Sequence, residues 1–299
     1  MIYLILGIAA NAAIFLAFRS FSIFKIDNMQ AIVVNYIVCV LTGLIFIENP
    51  TMLTTVDYSA TWSWVAISIG ILLVIGFYAA SLTSQLLGVS VASVASKMSM
   101  MFPVLFSLFF MRIESKTFTF FNYTGMVLAL VAIYLSSIRE NNNSKVMHSK
   151  RYLLVLPFIV FLAGGLIDIG LNYSNHELIT ADNTGAFTVV LFAGAAFSGL
   201  VSLVFQKGKF QLKNLVGGAG LGIINYFSLY FVLKALTAFD NNGAVFYPIY
   251  NVGIIMLSSF AAMLLFKEHL SKINFIGLTL AVLALFLLSY QEILSYFIG

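Results

Sequence analysis

Charge is scarce in this sequence: 9% of its 299 residues are Asp, Glu, Lys or Arg, while 61% are hydrophobic. Soluble domains carry about a quarter charged residues, so a water-soluble core is excluded; a membrane protein is expected. Cysteine is nearly absent too. Cys39 alone can form neither an intrachain disulfide nor a Cys-based zinc site, and inside an apolar span it reads as a small packing residue. His148 stands in a polar stretch without a Cys, His or carboxylate cluster, so no metal site is expected. Short segments of alternating polarity are missing, which argues against a β-barrel. No GxSxG, HExxH or phosphate-binding loop occurs in a suitable setting. The expectation is therefore no enzyme, no cofactor and no use of ATP by this chain alone.

Long apolar runs fill the space those absences leave. A bilayer core of about 30 Å takes about 20 apolar residues per helix. Split at its polar punctuation, the chain gives ten such spans, near 2–19, 29–48, 62–87, 89–111, 118–138, 152–175, 184–206, 213–238, 242–266 and 272–292. The first has no Lys or Arg before it and no good cleavage site, so it reads as a retained helix. The net charge of +4 comes from few groups, most of them near span ends, so no nucleic-acid partner is expected.

The longest internal polar stretch, "RENNNSKVMHSKR", separates two sets of five spans. The expected organisation is a first five-helix repeat over 1–138, a linker at 139–151 and a second repeat over 152–299. Segments 89–114 and 243–268 match in length, close on "FFMRIE" and "LLFKEH", and precede spans with an early glycine, Gly125 or Gly277. A duplicated half with an odd number of spans inserts in the opposite orientation. The fold class expected is an all-α integral membrane protein of ten transmembrane helices in two inverted five-helix repeats. With both termini outside, eleven basic residues fall on the cytoplasmic side and three opposite, the distribution that the positive-inside rule prefers.

Against this background Lys97 stands out, inside "SVASVASKMSMMFPVLFSLFF". Eight residues into its span, at 1.5 Å per residue, it lies about 12 Å deep, where a lysine costs about 2.5–3.5 kcal/mol on insertion scales. It calls for a polar cavity or an acidic partner. Asp168, entering from the opposite face to a similar depth, is the natural partner and the candidate for proton coupling, and Asn172 follows on the same stripe. The plain alternative is a structural ion pair. When the halves are aligned, Lys97 falls opposite Asn251 in "FYPIYNVG", where Tyr247, Tyr250 and Asn251 share a helix face and Pro248 can free a carbonyl. Tyr78 and Gln85, at i and i+7 of the third span, are further candidates for a substrate-binding cavity. Glu114 and Glu268 are expected to brace turns.

The ten spans, the five-plus-five plan, the "VASKMSMMFPVLFSLFFMRIE" segment and the "LLFKEHLSKINFIGLTLAVLALFLL" ending resemble the drug/metabolite transporter superfamily, in particular its EamA-type members. Only Glu268, Leu270 and Ser271 match that family's closing motif residue by residue. The resemblance implies a secondary transporter, an exporter or exchanger of small organic solutes such as amino acids or other metabolites. It would be a multi-pass protein of the cytoplasmic (inner) membrane with membrane lipid around it; a monomer is compatible with the sequence, which leaves the oligomeric state open. Family members often have both termini in the cytoplasm, opposite to the charge count. The rival classes are a membrane-embedded lipid-handling enzyme and a non-transporting scaffold.

Overall fold

A computed structural model describes residues 2–47, 51–102, 119–138, 153–180, 183–206, 210–239, 243–291 and 293–294. The 139–151 linker, Arg112 and Glu114 lie outside the described residues. Within them the chain is all helical. We number the helices α1 (Ile2–Ile23), α2 (Asn28–Phe46), α3 (Thr61–Leu86), α4 (Val89–Met98), α5 (Phe120–Ser137), α6 (Val155–Tyr173), α7 (Thr184–Val204), α8 (Leu212–Thr237), α9 (Gly243–Phe266) and α10 (Lys272–Leu288). A single turn at Met52–Thr55 interrupts the α2–α3 connection, and a π-helical turn, Ser174–Leu178, extends α6.

Eight of these helices are long and apolar enough to cross a membrane; α10, at 17 residues, is shorter. By length and composition this is a multi-pass membrane protein. The fourth helix departs from the continuous span that the sequence suggests: α4 has 10 residues and gives way to a turn at Ser99–Met100. There the Phe102 amide bonds the Ser99 carbonyl at 2.9 Å, a tight turn just ahead of Pro103, which has no amide proton to continue the ladder.

The connections 24–27, 87–88 and 267–271, the end of α7 and the start of α8 lie on one face of the bundle, here the first face; the ends of α2, α6 and α8 and the starts of α3, α7 and α9 lie on the second. α5 packs most extensively on α10, α2 on α8 and α7, α3 on α7 and α6, and α1 on α8 and α9; α4 is wedged between α6 and α9. A helix end inside lipid has no water for its unpaired groups, so the ends must be satisfied by protein. At the start of α2, Asp27 accepts from the Gln30 amide at 2.9 Å and donates its own amide to Asn214 Oδ1 at 3.0 Å.

α5 and α10 satisfy each other reciprocally. Thr119 and Ser271 each cap their helix in a box with the asparagine three residues on, Asn122 and Asn274. The remaining amide of each asparagine reaches the partner's C-terminus: Asn122 Nδ2 donates to the Leu288 carbonyl at 3.0 Å, and Asn274 Nδ2 to Leu135, Ser136 and Ile138 at 3.2, 2.8 and 2.7 Å. Three residues further on stands the glycine of each helix, where a Cβ would come within 3.0 Å of Leu288 N or 2.5 Å of Ser136 N. Only glycine lets the backbones approach this closely.

Because Asn274 serves three carbonyls and Asn122 one, Asn274→Ala should cost the larger stability, roughly 1–3 kcal/mol. Thermal denaturation of the detergent-solubilised variants checks the order; equal losses would mean that the geometry is not what sets the cost.

Candidate functional site

α1, α4, α6 and α9 meet around Lys97. Its ammonium lies 5.8 Å from the centroid of the Phe15 ring of α1, within cation–π range. Across from it on α6, Asp168 Oδ2 accepts a hydrogen bond of 2.8 Å from the Ser99 hydroxyl, which also lies 2.7 Å from the Ser96 carbonyl. One hydroxyl proton thus serves a carboxylate and a carbonyl freed at the α4 break. Gly164, one turn before Asp168, makes the approach possible, since a Cβ there would meet Ser99 Oγ at 2.9 Å.

Lys97 and Asp168 are both half-buried and interact electrostatically, and no direct ion pair joins them among the described residues. A fully structural pair would close to contact, because each ion loses hydration that only its partner restores. Here each charge has a softer partner, a ring for the cation and a hydroxyl for the anion, and keeps part of its surface open.

α9 contributes three residues with three different fates. Tyr247 remains 39% exposed and within electrostatic reach of Asp168. Tyr250 is 4% exposed, stacks on Phe246 with centroids 5.3 Å apart, shares a hydrogen bond with Asn11 and donates its hydroxyl to the Gly7 carbonyl of α1 at 3.3 Å. Asn251 is buried with its amide 3.3 Å from Met100 Sδ, beside the α4 break. Helix periodicity puts the three on one face, and the packing divides that face among α6, α1 and α4.

The remaining sequence candidates lie away from this cluster or at its margin. Asn172 is exposed one turn beyond Asp168, toward the second face, and Tyr78 is exposed on α3. Gln85 belongs to the first face: its amide nitrogen donates to the Phe18 carbonyl at 3.0 Å, Asn28 Oδ1 at 2.7 Å and Ser81 Oγ at 3.1 Å. Arg19 donates to the Gln85 carbonyl. The braced turn expected at Glu268 takes a specific form, since its carboxylate accepts from the Val89 amide at 3.1 Å and caps α4. Burial pushes the Glu268 carboxyl above its usual range, while hydrogen bonds from Val89 and Ser90 and the charge of Arg19 pull the other way.

Phe15 and Ser99 were not singled out in the sequence. Ser99 could have been, as a hydroxyl two residues from a mid-span lysine and four before a proline; Phe15 is one of 29 phenylalanines and carries no local mark.

No family model matches the chain. It is 26% identical over 270 residues to an uncharacterized protein of Haemophilus influenzae, covering 88% of this chain and 89% of that one. A solved crystal structure of a protein aligns over 95% of this chain and 98% of its own, at 12% identity and a TM-score of 0.48.

Coupling between the two charges is measurable. Lys97→Met and Asp168→Asn should each destabilise the protein, and the double variant should cost less than their sum by about 0.5–3 kcal/mol. Additive losses in thermal denaturation would show that the charges act independently.

Proposed function

We propose that the chain is a secondary transporter of the drug/metabolite type, which moves small organic solutes such as amino acids or other metabolites across the inner membrane by alternating access between two inverted five-helix repeats. The observation that carries this reading is the pair of opposite charges, Lys97 and Asp168, held apart and part-exposed among α1, α4, α6 and α9. Ionisable groups within a membrane span are costly and mark solute or ion pathways. A broken helix beside them redirects backbone carbonyls out of the helical ladder, a feature that transporter sites use.

Support for the repeat comes from packing. Adding or subtracting five from each helix number turns α2 on α8 into α7 on α3, α1 on α8 into α6 on α3, and α1 on α9 into α6 on α4, and all six packings occur. The α5–α10 pair maps onto itself, and so do its two asparagine boxes.

In this reading Lys97 takes the anionic end of the solute, Tyr247 offers an open aromatic wall, and Tyr250 and Asn251 fix α9 against α1 and α4. Asp168, on Ser99, is the proton-coupling group. Asn172 lies on the route from the second face, while Tyr78, exposed on α3, and Gln85, engaged at the first face, lie outside the solute cluster. A passive scaffold has no need of a part-exposed charge pair, and chemistry on a lipid headgroup usually takes paired histidines or carboxylates rather than one lysine and one aspartate.

Purified protein in liposomes should take up at least one member of an amino-acid and metabolite panel under a proton gradient. Lys97→Ala should lower uptake of an anionic or zwitterionic solute by about tenfold or more, the effect of losing a charge-assisted contact. Absence of uptake across the panel under gradients of both signs would refute transport, and Lys97→Met behaving as the native protein would favour a scaffold.

A further inference from the structure

Glu268 sits between α9 and α10, yet its carboxylate belongs to α4. Gly88 makes this possible. Its φ of 124° is in the region that glycine tolerates, and a Cβ there would collide with the Glu268 carboxylate. One carboxylate oxygen accepts from the Val89 amide at 3.1 Å, an anion on the positive end of a helix. Arg19, at the end of α1, lies within electrostatic reach of Glu268 and donates to the Gln85 carbonyl at the end of α3. Gln85 in turn holds Asn28 at the start of α2. Four helix ends of the first half are tied together at the first face, and the tie to α4 from the second half is Glu268.

Beyond the cap, α4 runs tightly sealed. Val89, Ala92 and Ser93 have no exposed surface, and Ser90 has almost none. Lys97 stands eight residues from Val89, about 12 Å along the same rigid segment. α4 ends at Met98, ahead of a turn at Ser99–Met100 about which a short helix could pivot. On its outer side the Glu268 loop borders a groove of about 870 Å³ that also holds Lys267, His269 and Lys272, so water reaches the loop from outside.

We propose that Glu268 is the latch that holds the first face shut, by capping the N-terminus of the short helix that carries Lys97. This rests on the transporter reading for its purpose. The capped helix closes the path from the first face to the charge pair; release of the carboxylate frees the α4 N-terminus to move and opens it. A carboxamide at position 268 keeps an acceptor oxygen and therefore keeps the latch, whereas an alanine removes it.

The test is thiol accessibility at Ser93, on the sealed stretch one turn inside the cap. In a Cys39→Ala background, Ser93→Cys protein in liposomes is treated with a membrane-impermeant methanethiosulfonate on the side from which a control cysteine at Lys25 labels. With Glu268 intact, labelling should be slow. Glu268→Ala should speed it by about tenfold, the population shift expected from losing one charge-assisted hydrogen bond. Gly88→Ala, whose methyl occupies the place of the carboxylate, should act in the same direction, and Glu268→Gln should leave labelling slow. Unchanged labelling in Glu268→Ala overturns the latch, and so does Glu268→Gln opening the face as far as alanine does. If Glu268→Ala does not fold, as judged by gel filtration, Gly88→Ala decides alone. No solute is needed for this measurement, so a protein that transported nothing could still show the latch.

Discussion

The structure depends on one constraint: a helix end in or near lipid must find its hydrogen-bond partners in protein, because no water is there to supply them. The helices α1 to α10 among the described residues are joined by short connections such as 24–27 and 87–88, which leave little loop with which to do so. The chain uses polar side chains at span borders, each serving an element distant in sequence. Asn122 and Asn274 clasp α5 and α10 end to end, Asn214 takes the Asp27 amide and donates to Gln30 at 2.6 Å, and Glu268 caps α4. These contacts fix which helix lies beside which. Apolar surfaces alone could not, since lipid tails are as good a solvent for leucine as another helix is.

The same constraint explains why the centre is soft where the ends are tight. At the borders, side-chain amides and carboxylates take up backbone carbonyls and amides directly, and Asn274 alone serves three carbonyls. Around Lys97 the partners are a ring face, a shared hydroxyl and a sulfur, contacts that hold geometry weakly and yield to a better ligand. The α4 break puts its turn at this point, between the capped N-terminal half and Pro103. In the proposed transporter, partners of this strength would suit a site that binds and releases, because displacing them costs little.

Composition and polar punctuation were enough to place nearly all the helices, because a long apolar run has one stable form in a bilayer. The α4 break was less legible, since Pro103 marked a disturbance without saying where the ladder would stop. Within the site, Lys97 and Asp168 announced themselves by cost. Tyr250 and Asn251 were legible as a face but not as to which neighbour each would engage, because that depends on how α9 is rotated against α1 and α4. Gln85 shows the limit clearly: a polar residue in an apolar run serves a cavity or a helix border equally well until its neighbours are known, and here it joins α3 to α1 and to the start of α2. The reciprocal clasp was written in the sequence as Thr119-x-x-Asn122-x-x-Gly125 and Ser271-x-x-Asn274-x-x-Gly277, and only the glycines stood out without the geometry that gives the asparagines their purpose.

If the two halves are repeats, the departures from their symmetry carry information. α1 packs on α3 and α3 on α4, yet the exchanged pairs, α6 with α8 and α8 with α9, make no comparable packing among the described residues. The polar network of Arg19, Gln85 and Asn28 sits on the side where the first-half helices converge. Tyr247 and Asn172 stay exposed toward the other. Two halves of one design would then hold different conformations at the same moment, one gathered and one spread. An exchange of those conformations between the halves would open the first face and close the second around the same pair of charges, with the α5–α10 clasp unchanged because the exchange maps it onto itself.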